Sequence, residues 1–89
     1  MTQAELNKLD AMTKMTVSTP REDILRVIGE TFDAVKRQKV IELVAKLESS
    51  KRGGGSYLHM ASDVIYCLDA ANWNPRAAKA MMIQCRIWG

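Results

Sequence analysis

The stretch Thr19–Ser50, TPREDILRVIGETFDAVKRQKVIELVAKLESS, decides how this chain folds. Thr19-Pro20-Arg21-Glu22 reads as a helix start, with Thr19 as cap, Pro20 at the first helical position and Glu22 closing a capping box. Glu22 and Asp23 add negative charge where the helix dipole is positive. Ile24, Leu25, Ile28, Phe32 and Val35 follow at three- and four-residue spacing and make one apolar face. Val40, Leu43, Val44 and Leu47 make a second.

The two faces diverge. At about 100° per residue the second stripe points roughly 140° away from the first. The change falls at Lys36-Arg37-Gln38-Lys39, a run of good helix formers without proline or glycine. Asp33 precedes Lys36 and Arg37 by three and four residues, and Glu42 precedes Lys46 by four, spacings that favour continued helix. An unbroken helix here would be about 30 residues and roughly 45 Å long. A compact chain of this size has a radius of gyration of about 12 Å, so such a rod overhangs its own globule. Either it breaks, with Gly29 the costliest helical residue, or its second stripe packs on another copy of the chain. Because the rotation falls at Lys36–Lys39 and not at Gly29, the sequence favours the second solution.

Working outward, Thr2-Gln3-Ala4-Glu5 is another capping box, opening a short helix to about Lys14 with Leu6, Leu9 and Met12 as its sparse apolar edge. Met15-Thr16-Val17-Ser18 reads as a linker. On the other side, Ser49-Ser50-Lys51-Arg52-Gly53-Gly54-Gly55 ends the long segment, with consecutive glycines as a hinge. Ser56 to Ala71 is the clearest amphipathic helix. Tyr57, Ala61, Val64, Leu68 and Ala71 centre an apolar face flanked by Leu58 and Ile65 on one side and by Met60 and Cys67 on the other. A face this wide predicts burial against more than one helix. His59, Ser62, Asp63, Tyr66 and Asp69 fill the opposite side. Asn74 caps and Pro75 starts a last helix running to about Trp88, with Ala77, Ala78, Met81, Met82, Cys85 and Trp88 on one side and Arg76, Lys79 and Arg86 on the other. No strand pattern and no internal repeat appear.

The expected organisation is one all-α domain over residues 1–89, a small bundle of three to four helices with one long central segment. Residues 1–18 form an N-terminal helix and linker, 19–50 the long segment, 51–56 the hinge and 57–89 a helical hairpin. At 89 residues the core is small, which strengthens the case for a homo-oligomer. No apolar run is long enough to cross a bilayer and no leader pattern is present, so the expectation is a cytoplasmic protein. Cys67 and Cys85 are expected on apolar faces as free, buried thiols.

The chemistry-bearing residues are few. His59, Ser62, Asp63 and Tyr66 share one helix, where Ser62 cannot also face the imidazole as a held nucleophile should, so they read as a solvated polar face. One histidine and two cysteines do not make a zinc arrangement, and no catalytic residue, metal or cofactor is expected. Lys51–Ser56 places basic side chains and free N–H groups before a helix, the makings of an anion site, but without the Gly-Lys-Ser/Thr ending of a nucleotide loop.

The function expected is therefore non-catalytic. The first reading is a protein-binding regulator, inhibitor or assembly factor that self-associates through its long helix, with Val40, Leu43, Val44, Leu47, Trp73 and Trp88 at the interface. The alternative is a DNA-binding regulator with a helix-turn-helix-like C-terminal pair. There Lys51, Arg52, Arg76, Lys79 and Arg86 would contact nucleic acid, Gln84 would lie near base edges, and Ala80 and Ile83 would pack inward.

Overall fold

The computed structural model describes residues 1–50 and 55–88, which contain five α-helices and no strand. They are α1 (Gln3–Thr13), α2 (Arg21–Thr31), α3 (Ala34–Ser49), α4 (Tyr57–Ala70) and α5 (Pro75–Gln84). The expected three to four helices become five because the long segment is two helices.

The break falls at Phe32-Asp33, neither at Gly29 nor at Lys36–Lys39. Phe32 is extended, with φ −111° and ψ 150°. Asp33 is the N-cap of α3, its carboxylate accepting from the Lys36 N–H at 2.9 Å. The spacing of Asp33 from Lys36, which suits an ion pair on a continuous helix, serves a cap instead. Two extended residues are enough to turn the rod back on itself: Arg21 at the start of α2 pairs with Glu48 at the end of α3. Both stripes then face inward, except that Val35, assigned to the first stripe, lies past the break and is 65% exposed, and Leu25 is half-buried. Ile24, Ile28 and Phe32 are buried from α2 and its end, and so are Val40, Leu43, Val44 and Leu47 from α3. With the rod folded, the radius of gyration is 12.1 Å, that of a compact chain, and nothing overhangs.

Local signals otherwise set the helix ends largely as the sequence suggests. Thr2 and Glu5 form the reciprocal capping box of α1, at 3.1 and 2.9 Å. The Ser56 hydroxyl accepts from the His59 N–H, and the Asn74 side chain accepts from the Arg76 and Ala77 N–H groups. Thr19 departs from expectation. Its hydroxyl accepts from the Thr16 N–H, making a turn before the helix, and Pro20 occupies the N-cap position without a side-chain bond. The last helix also stops early, at Gln84.

Helix α4 is the centre of the molecule. Leu58, Met60, Ala61, Val64, Ile65, Cys67 and Leu68 are all buried, against α3 on one side and α5 on another, with α2 also touching it. Helix α1 lies across α2 and gives the core only one buried apolar side chain, Met12. Leu9 packs half-buried against the same core, and two polar ties are added: Glu5 pairs with Lys36 of α3 at 3.1 Å, and Lys8 donates to the Glu30 carbonyl at 3.2 Å, near the negative end of α2.

Candidate functional site

The helix with the fewest anchors forms one wall of the clearest concavity. Leu6, Leu9 and Met12 are the sparse apolar residues of α1, and α2 does not use them all: Met12 is buried, Leu9 half-buried and Leu6 45% exposed. Helix α4 presents Ile65 toward the same space. Between them lies an apolar groove of about 230 Å³, formed by Met1, Leu9 and Met12 against Ile65 and Tyr66, with exposed Thr13 and Ser62 completing its walls. Met1, one of the lining residues, is tied to α4 by an ion pair between its ammonium and Asp69 at 2.6 Å. Tyr66 stands 72% exposed beside the groove.

Helix α5 is the second exposed feature. Ala78 and Met82 are its buried residues, while Arg76, Ala77, Lys79, Ala80, Ile83 and Gln84 face outward. Ile83 is 50% exposed in the middle of that face. Beyond the helix, Arg86 takes a left-handed φ of 60° and reverses the chain, and the Ile87 and Trp88 N–H groups both donate to the Met82 carbonyl. The reversal returns Trp88 to the core, where it is only 7% exposed, with the Lys79 ammonium 4.7 Å from its ring centre.

Charge is distributed unevenly between these faces. Residues 34–52 carry six cations and two carboxylates, and residues 75–88 three cations and none. The remaining chain carries four cations against eight carboxylates. Helices α3 and α5 touch, so the cationic segments are neighbours. Helix α4 contributes only Asp63 and Asp69 as charges.

The residues expected at an interface fall mostly inside the molecule. Val40, Leu43, Val44 and Leu47 are at most 4% exposed, buried by the folded-back rod and α4, so the stripe reserved for a second copy is not a surface. Trp88 is buried at the end of α5. Trp73 is half-buried in the α4–α5 turn, in the left-handed region with Asn72, at φ 62° and 57°. Its ring meets Phe32 edge-on at 5.0 Å and carries the Lys36 ammonium 4.9 Å from its centre. Lys39 donates to its carbonyl at 2.9 Å. Trp73 thus locks the turn onto the α2–α3 break.

Of the residues expected to meet nucleic acid, Arg76, Lys79 and Arg86 are exposed, and Lys51 and Arg52 lie outside the described residues. The inward register expected of a helix-turn-helix is not the one adopted. Ala80 and Ile83 face solvent, and Ala78 and Met82 take the inward positions. The anion-site reading of Lys51–Ser56 also falls largely outside the described residues, and the Ser56 hydroxyl is engaged as a helix cap.

His59, Ser62, Asp63 and Tyr66 lie along α4, and no hydrogen bond joins their side chains among the described residues. Cys67 is buried, and that burial pushes its thiol pKa up, whereas Cys85, expected to be buried, is exposed at the end of α5. Among the described residues no helix is long and apolar enough to cross a membrane.

The groove itself was not singled out by the sequence, although part of its signal is there. The apolar face of α4 is wide enough to need several partners, and Ile65 sits on its flank. That α1 covers this flank incompletely depends on where α1 is carried by its packing on α2.

Comparison with protein-family models, with curated proteins and with solved structures finds no match to this chain.

Proposed function

We propose that the chain is a non-catalytic protein-binding module, a small regulator, inhibitor or assembly factor, that receives apolar side chains of its partner in the groove between α1 and α4. The observation that supports this is the groove, an almost wholly apolar concavity of about 230 Å³ with Tyr66 exposed at its edge. Tyrosine is enriched where surfaces meet partners, because it offers rigid apolar area with a polar tip. Met1 and Met12 suit the same role, since an unbranched thioether adapts to varied shapes. A photo-crosslinking residue placed at exposed Ser62 is expected to capture a protein in the native host. The same residue at Glu22, on α2, is the control and should capture none. Equal capture at both positions, or none at Ser62, refutes the reading.

One observation favours a second reading, duplex DNA bound on the α3–α5 side. It is the concentration of cations there, with no carboxylate anywhere on α5. Backbone phosphates would meet Arg76, Lys79 and Arg86, and affinity would fall steeply with salt. A titration on random duplex at two salt concentrations tests it, and no binding at low salt eliminates it.

A further inference from the structure

An open cleft of about 450 Å³ lies between the end of α3 and the C-terminal segment. Ala45, Lys46, Ser49 and Ser50 line it on one side, Lys79 and Trp88 on the other. The Ser49 and Ser50 hydroxyls donate to the Ala45 and Leu47 carbonyls at 2.9 and 2.8 Å, so the two ammoniums are the donors left for a ligand. Lys79 rests on the face of the Trp88 ring, a contact that does not use up its three N–H donors.

Lys79 also joins the cleft to the exposed face of α5. At about 100° per residue, Arg76, Lys79 and Ile83 fall within about 60° of one another, and Arg86 follows just beyond the helix end. Among the described residues, none of Lys46, Arg76, Lys79 and Arg86 is ion-paired. No carboxylate lies between residues 75 and 88. The two of α3 are engaged, Glu48 with Arg21 and Glu42 with the Gln38 amide at 2.8 Å.

Unopposed cations in a strip attract a polyanion, and Ile83 decides which kind. It stands 50% exposed between the directions of Arg76 and Lys79. A phosphodiester backbone would meet the cations yet leave this branched side chain against charged oxygens, with nothing apolar to bury on. A peptide in which acidic and apolar residues alternate satisfies both, because carboxylates and aliphatic side chains come from one strand.

We propose that the α3–α5 face binds an acidic segment of a partner protein, with carboxylates on Lys46, Arg76 and Lys79 and an apolar side chain against Ile83. This rests on the protein-binding reading and names the chemistry of the partner, on a surface that shares no residue with the α1–α4 groove. The contact is small and largely electrostatic, so its affinity belongs in the micromolar range and falls with salt.

Fluorescence anisotropy on the full chain, with a labelled synthetic peptide of Glu-Glu-Leu repeats, is the test. The expected result is micromolar binding in low salt that weakens about tenfold at about 0.5 M salt. Ile83→Ser, or serine in place of leucine in the peptide, should weaken binding several-fold, and Arg76→Glu should abolish it. Both positions are exposed, so both variants should keep the urea midpoint of the parent. Ser62→Arg, which obstructs the groove, should bind the peptide as the parent does.

No binding at low salt overturns the proposal, and so does binding that neither Arg76→Glu nor Ile83→Ser alters. Random-sequence duplex that displaces the peptide better than unlabelled peptide of equal charge also overturns it and gives the face to nucleic acid. Binding lost in Ser62→Arg alone places the peptide in the groove, which ends this proposal and leaves the groove reading standing. Crosslinking at Ser62 in the host that captures nothing, while Arg76→Glu abolishes peptide binding, ends the groove reading and supports the α3–α5 face.

Discussion

Gly29 lies inside α2 in ordinary helical backbone, and a methyl group there would meet only the Arg37 side chain, at 3.7 Å. Glycine in a helix interior costs about 0.5–1 kcal/mol against alanine because its unfolded chain is freer. Gly29→Ala should therefore stabilise the protein by about that amount, read as a higher urea midpoint with unchanged slope. Trp73 is the contrasting residue. It is half-buried, yet it joins the α2–α3 break to the α4–α5 turn through Phe32, Lys36 and Lys39. Removing so large a ring from a junction should cost about 2–3 kcal/mol, so Trp73→Ala should lower the melting temperature by well over 5 °C for a domain of this size. From sequence, Trp73 could be located in a turn, but its neighbours are residues 34 and more positions away.

The helices were legible as elements, and their junctions only in part. Capping patterns at Thr2 and Asn74 mark real starts because each satisfies N–H groups within three residues of itself. The break at Phe32-Asp33 was hidden by an ambiguity of local chemistry. An aspartate three residues before a lysine supports a continuing helix through an ion pair, and it also starts a new one through its backbone bond. Here the backbone bond prevails, since it satisfies a helix terminus while an exposed ion pair contributes little. Asp33→Ala should destabilise the fold by about 1 kcal/mol, and Asp33→Asn, which keeps the acceptor, should be close to neutral. Chemical denaturation with helical content followed by circular dichroism checks both. A rise in helical content for Asp33→Ala would mean the two helices had fused.

Across the whole molecule, α1 is held by few apolar contacts and by the Glu5–Lys36 and Met1–Asp69 pairs. The Thr2 backbone bond, followed by the Lys36 contacts, holds the Glu5 carboxyl below its ordinary range, although burial opposes them. A depressed carboxylate pKa contributes stability that is complete above the unfolded value, about 4.3, and is lost as pH falls through the folded value. Glu5→Gln should therefore lower stability near neutrality, by about 1 kcal/mol, and flatten the loss of stability between about pH 5 and pH 3. Denaturant midpoints of parent and variant across that range provide the comparison.

The sequence by itself determined the all-helical class, most helix starts and the two apolar stripes of Thr19–Ser50, because caps and periodicity act over one or two turns. It also determined the charge imbalance between segments. Only the tertiary structure decided that both stripes serve one core, since a two-residue break redirects every side chain after it. Only the tertiary structure, too, left a groove beside α4 and set Ile83 outward, because what stays uncovered depends on where every other helix has already been placed.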